Sequence, residues 1–163
     1  VIPVIISNEI LKQRDIYVLN GKTVELDGEF WSSNRDGHLN LFLFVKGIEI
    51  CEDEIEFIKN TNIIYLNGYV CKPSVYRLTP LGKSITDLII AVNRSDGRND
   101  YIPCITWKKT AEAASNLKVS DRIELYGRIQ SREYSKKIYF EDGYSEENHM
   151  INEISVIRFQ RIY

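Results

Sequence analysis

Residues 101–134 read YIPCITWKKTAEAASNLKVSDRIELYGRIQSREY, and no other stretch restricts the fold as much. It holds an alternating segment with an aromatic at each end, a short alanine-rich segment, and a second alternation of apolar with basic residues. In a strand, successive side chains point to opposite faces. Tyr101, Pro103, Ile105 and Trp107 therefore share one side, and Ile102, Cys104 and Thr106 take the other. In the second strand Ile123, Leu125, Gly127 and Ile129 face a core, which leaves Tyr126, Arg128, Gln130, Arg132 and Tyr134 outside. Flat rings beside guanidinium groups on one sheet suit stacked bases and a phosphate chain.

The flanking sequence supplies further strands. Residues 63–71 form one, with Gly68 permitting the sharp coiling a barrel needs. Pro73 and the turn at 79–82, TPLG, punctuate the approach to a second at 85–93, where Leu88, Ile90 and Val92 alternate with Asp87, Ile89 and Ala91. Residues 94–100, RSDGRND, make a polar loop able to carry Arg94 and Arg98 to phosphates. A helix at 108–117 plugs one end, a charged hairpin extension spans 135–150, and residues 151–163 close the sheet. Strand, strand, strand, helix, strand, strand is the order of the five-stranded Greek-key OB-fold (oligonucleotide-binding) barrel, an all-β fold with one short helix.

In order, the pieces IIYLNGYV, PSVYRLTPLGKSITDLIIAVNR, DYIPCITWKKTAEAA and LKVSDRIELYGRIQSREY resemble the bacterial single-stranded DNA-binding protein family. The resemblance runs from Ile63 to about Tyr134, with a closing strand near 154–162. It implies a barrel that binds single-stranded DNA without strong sequence preference, in a multimer presenting four barrels. Two departures stand out. The family turns into its fourth strand through Lys-Gly-Asp where this chain has Val119, Ser120 and Asp121. The family's Gly- and Pro-rich tail with an acidic tip also has no counterpart before Tyr163.

The first 60 residues echo the later ones. VIPVIIS at 1–7 parallels YIPCITW at 101–107, and a partly helical segment leads to Asn20. Val24, Glu25, Leu26, Gly28 and Ser32 then fall opposite Ile123, Glu124, Leu125, Gly127 and Ser131 at a constant offset, and LNLFLFVKGIEI at 39–50 stands where the closing strand stands. Residues 1–60 thus read as a partial OB-like unit, the second half of a barrel truncated at its N-terminus within a tandem-barrel protein. The alternative is a small accessory sheet packed on the barrel of residues 61–163. Glu29 and Ser33 replace Arg128 and Arg132 here, and Val1 and Ser7 replace Tyr101 and Trp107; Trp31 and Arg35 compensate in part. An acidic face repels phosphate, so this copy serves packing or assembly. Residues 52–62, EDEIEFIKNTN, read as a charged linker.

The net charge of −2 is unevenly spread. Residues 64–136 carry +5, those before −5 and those after −2, so the basic part is the part with the family resemblance. Cys51, Cys71 and Cys104 form no CxxC pair, which indicates neither a disulfide framework nor a zinc site. With no long apolar run and no signal core, a cytoplasmic location is the default. His38 and His149 lack ligand-spaced partners, and nucleotide-, zinc- and serine-hydrolase motifs are missing, so neither an enzyme nor a cofactor is expected.

Trp107, Tyr101 and Tyr134 are the candidate stacking rings, with Tyr76 as a fourth; Arg77, Lys83, Arg94, Arg98, Lys108, Arg128 and Arg132 are the candidate phosphate partners. The leading reading is single-stranded DNA binding in replication, recombination or repair, by a homo-oligomer that is either a dimer of two-barrel chains or a tetramer. The alternative is a primosome-like assembly or adaptor protein that has turned the same face to a protein partner.

Overall fold

A computed structural model describes residues 2–13, 19–35, 38–51 and 62–163, without the side chains of Gln13, Arg35, His38, Tyr134 and Lys136. In chain order its elements are β1 (Val4–Ile6), α1 (Asn8–Gln13), β2 (Val24–Arg35), β3 (His38–Ile50), β4 (Ile64–Val70), β5 (Val75–Leu78), β6 (Ser84–Asn93), β7 (Asn99–Trp107), α2 (Lys109–Ala114), β8 (Arg122–Phe140) and β9 (Gly143–Ile162). The charged linker expected at 52–62 lies, apart from Asn62, outside the described residues.

The barrel closes as the alternation requires. The strand order β4-β8-β9-β7-β6 returns to β4 where Tyr69 and Val70 pair with Ala91 and Ile90, and β7 runs parallel to β9. Ile90, Ile102, Cys104, Ile123, Leu125 and Ile154 fill the interior, all buried. Helix α2 seals one end with Ala111 and Ala114, and Thr86 Oγ1 donates to the Ala111 carbonyl at 2.7 Å. Six residues are helical rather than the ten expected, because Lys108 takes φ 53° and the 115–117 stretch falls into turns.

Two features exceed the sequence reading. β5 is an additional strand joined to β6 by the 79–82 turn, with all four residues exposed. The hairpin extension is continuous with the barrel, since β8 and β9 pair from Arg122 opposite Ile162 to Phe140 opposite Gly143. At the entrance to β8, Ser120 adopts φ 75°. That is the left-handed conformation that glycine accepts freely and other residues adopt at a cost of about 1–2 kcal/mol.

The remaining strands form a three-stranded sheet ordered β1-β3-β2, and they repeat the barrel's geometry residue by residue. Val4 and Ile5 pair in parallel with Leu43 and Phe44, as Cys104 and Ile105 pair with Ile154 and Ser155. The β2–β3 register shifts between Asp27 and Gly28, and the β8–β9 register shifts between Tyr126 and Gly127. Glycine is required at both bulges. A Cβ on Gly28 would lie 2.2 Å from the Phe44 carbonyl oxygen, and one on Gly127 2.6 Å from that of Ser155. Burial differs sharply. Cys104, Ile123 and Leu125 are sealed, whereas their counterparts Val24 and Leu26 are half-buried and Val4 is 41% exposed. Leu41 and Phe30 join the small sheet to the barrel core.

Candidate nucleic-acid interface

Residues paired across neighbouring strands project to the same face of a sheet, so the register assembles the outer surface of the barrel. Arg77 lies opposite Ile85 and Ile85 opposite Trp107; Asp87 lies opposite Ile105, Ile105 beside Ser155, and Ser155 opposite Arg128. One face across β5, β6, β7, β9 and β8 therefore carries Trp107, Arg77, Arg128 and, further along β8, Arg132. Trp107 is half-buried and fixed: its Nε1 donates to Ser155 Oγ at 3.2 Å, leaving ring surface accessible. Ser155 had no signal in the sequence, because a serine on a closing strand is unremarkable until its neighbour across the sheet is known.

The cations fall into two classes. Arg128 and Lys108 are exposed and have no carboxylate partner among the described residues; Lys83 is likewise exposed, at the β5–β6 turn. Arg77 donates to Asp87, Nε to Oδ2 at 2.7 Å, and Arg132 makes two bonds of 3.0 Å to Glu153, whose side chain is 3% exposed and also takes a bond from Gln130 Nε2. Both carboxylates lie on the same face as the arginines, which orients the guanidinium planes but lowers the net charge offered to a phosphate. Arg98 pairs with Asp96 inside its own turn, and its hydrogen bond holds the Asp96 carboxyl below the usual carboxylate range.

The other expected contributors are not gathered beside Trp107. Arg94 does not reach outward: its side chain, 9% exposed, forms a two-bond ion pair with Asp100, Nε to Oδ2 at 2.9 Å, and its guanidinium covers the Trp31 ring at 4.0 Å. Trp31, read as partial compensation for a missing binding ring, is sandwiched, since its other face stacks on Phe44 with centroids 4.1 Å apart and planes within 4°. The Ser32 amide donates to Asp100 Oδ1 at 2.7 Å and Ser32 Oγ accepts from the Tyr101 amide at 2.7 Å, so this cluster clasps the small sheet to the barrel. Tyr76 stands opposite Thr86, on the face that α2 covers and away from Trp107. Tyr101 is on the Trp107 side and 45% exposed, but at the end of β7 where β2 docks. The Tyr134 backbone pairs with His149 on the hairpin arm, and its ring lies outside the described residues.

Beneath this face, burial pushes the Cys104 thiol far above its ordinary range, with the Glu153 carboxylate acting in the same direction. No described helix is long and apolar enough to cross a membrane.

The profile of the Single-strand binding protein family matches residues 61–160. Over 80 residues, 45% of this chain and 50% of the relative, the sequence is 36% identical to single-stranded DNA-binding protein 2 of Listeria innocua. Over 83 residues it is 32% identical to single-stranded DNA-binding protein A of Bacillus subtilis, covering 47% of this chain and 48% of the relative. The matched part is thus about half the length of these curated relatives. The crystal structure of wild-type single-stranded DNA binding protein from Thermus aquaticus has the same fold, with a TM-score of 0.69 at 18% identity over 92% of this chain and 66% of that one. A likeness of that extent takes in the small sheet as well as the barrel. The chain, on the match of its barrel, belongs to the Single-strand binding protein family.

Proposed function

We propose that the outer face of β5, β6, β7, β9 and β8 binds single-stranded DNA without strong sequence preference. Trp107 is the stacking platform, Arg128 and Lys108 are the primary phosphate partners, and Arg77 and Arg132 assist once a phosphate competes with Asp87 and Glu153. The observation that carries this reading is the Trp107–Ser155–Arg128 line: a ring held by its own Nε1–H, with a guanidinium that has no carboxylate partner among the described residues opposite the same serine. Aromatic rings stack on any base, which gives affinity without a sequence code.

The reading assigns the chain a role in replication, recombination or repair in the cytoplasm, with no catalytic step and no cofactor. The small sheet is the second half of a further barrel, a reading supported by the shared parallel register and the shared glycine bulge. Two barrels per polypeptide make a dimer sufficient to present four. One observation favours the adaptor alternative, namely that carboxylates already occupy Arg77 and Arg132.

Titration with oligo-dT at several salt concentrations decides between them. Each phosphate neutralised on a single strand contributes about −0.7 to the slope of log K against log salt. Arg128 and Lys108 alone give a slope of about −1.4, and all four cations about −2.8. No binding at low salt overturns the DNA reading.

A further inference from the structure

Two described non-glycine residues have a positive φ, Ser120 at 75° and Lys108 at 53°. Lys108 is the more unusual. With ψ at −127° it takes the mirror image of the extended conformation, which glycine adopts freely and a residue with a Cβ avoids. Hydrogen bonds hold it there from both sides: its amide donates to the Ser84 carbonyl at 2.9 Å, and its carbonyl accepts from the Ala111 amide at 2.9 Å and the Glu112 amide at 3.2 Å. The fold therefore requires this turn between β7 and α2. Glycine would make it without strain, and nothing in the fold requires a lysine.

Strand alternation would send residue 108 to the side of Thr106 and Thr86, both fully buried, the second bonded to the Ala111 carbonyl of α2. The positive φ breaks that alternation, and Lys108 is exposed. Its ammonium has no carboxylate partner among the described residues, so no ion pair offsets the backbone cost. Ser120 differs in its place: its amide donates to the Val70 carbonyl at 2.8 Å, at the end of β4, which is not a strand of the face assigned to DNA. Strain that no contact compensates marks a position whose side chain acts outside the fold. We propose that the strain at Lys108 serves the DNA site: stability is given up so that an ammonium directly follows Trp107 and holds the phosphate beside the base stacked on that ring. This role rests on the reading of the Trp107 face as the DNA site. A ring and a compact, flexible cation on consecutive residues engage one nucleotide as a unit, base and phosphate together, whatever the base.

Four single variants of the 163-residue chain test this role by thermal denaturation and by oligo-dT titration against salt. Lys108→Gly removes strain and cation together, so Tm rises by roughly 2–4 °C while the slope of log K against log salt becomes shallower by about 0.7. Lys108→Gln keeps the strain and loses the charge; it shows the same loss of slope with Tm unchanged. Lys108→Arg keeps both and matches the parent chain. Ser120→Gly raises Tm and keeps the parent's slope, which a lysine acting only through the fold would not distinguish from Lys108→Gly. The proposal is overturned if Lys108→Gly fails to raise Tm, if the slope is unmoved in Lys108→Gly and Lys108→Gln, if Lys108→Arg behaves as Lys108→Gln, or if Ser120→Gly lowers the slope equally. A parent chain that does not bind oligo-dT overturns the DNA reading and this role with it; a parent that binds, with slopes unmoved at position 108, overturns the role of Lys108 alone.

Discussion

The small sheet and the barrel solve the same local problem and end in different states. Each runs a parallel strand beside the closing strand, and each places a glycine at a register shift where a carbonyl oxygen leaves no room for Cβ. In the barrel this geometry is sealed by β4 and β6, its core is fully buried, and its outer face displays Trp107 beside Arg128. In the small sheet the equivalent edge of β2 has no pairing strand among the described residues, Glu29 replaces Arg128, and Trp31 is consumed by Phe44 and Arg94. Backbone pattern is therefore what the two regions share, and they differ in burial and in the side chains on the exposed face.

The comparison is broken most forcefully at the clasp. Asp100→Ala leaves the Arg94 guanidinium buried without its partner and removes the acceptor of the Ser32 amide. Breaking such a pair from one side costs on the order of 3 kcal/mol, read by urea denaturation. Amide exchange in β2 should accelerate as well, and unchanged stability would mean that the two regions do not depend on this contact. Next in size is the contrast between the two tryptophans. Trp107→Ala is expected to weaken oligo-dT binding by about 1–3 kcal/mol, or roughly 5- to 150-fold, while Trp31→Phe leaves affinity within about twofold. Ser120→Gly relieves the left-handed backbone before β8 and should raise stability by about 1 kcal/mol in thermal denaturation.

The smallest effect concerns pH. Cys104 has a raised pKa in the folded barrel, so its contribution to stability is complete below the unfolded thiol pKa of about 8.5 and is lost as pH rises beyond it. Cys104→Ala should flatten the decline of stability above that pH. Alkylation of the native chain should leave Cys104 unmodified while the partly exposed Cys51 reacts.

Much of the fold was legible because period-two alternation survives in the sequence: Ile123, Leu125 and Gly127 point inward wherever the strand is placed. β5 escaped notice because all four of its residues are exposed, leaving no apolar alternation to detect. The site was legible only in residue type. Arg94 and Arg128 are equivalent as letters, and their fates are set by partners distant in the chain, Asp100 with Ser32 and Trp31 for one, the open face of β8 for the other. Likewise, Tyr76 was separated from Trp107 by the parity of a strand whose existence the sequence did not declare.

The chain has two tryptophans, and Trp31→Phe leaves Trp107 as the sole reporter while preserving an aromatic stack on Phe44. Titrating this variant with oligo-dT at low salt should quench its fluorescence saturably, and added salt should reverse the quenching. Tight binding with Trp107 emission unchanged, or no binding at all, would contradict the assignment of DNA to this face.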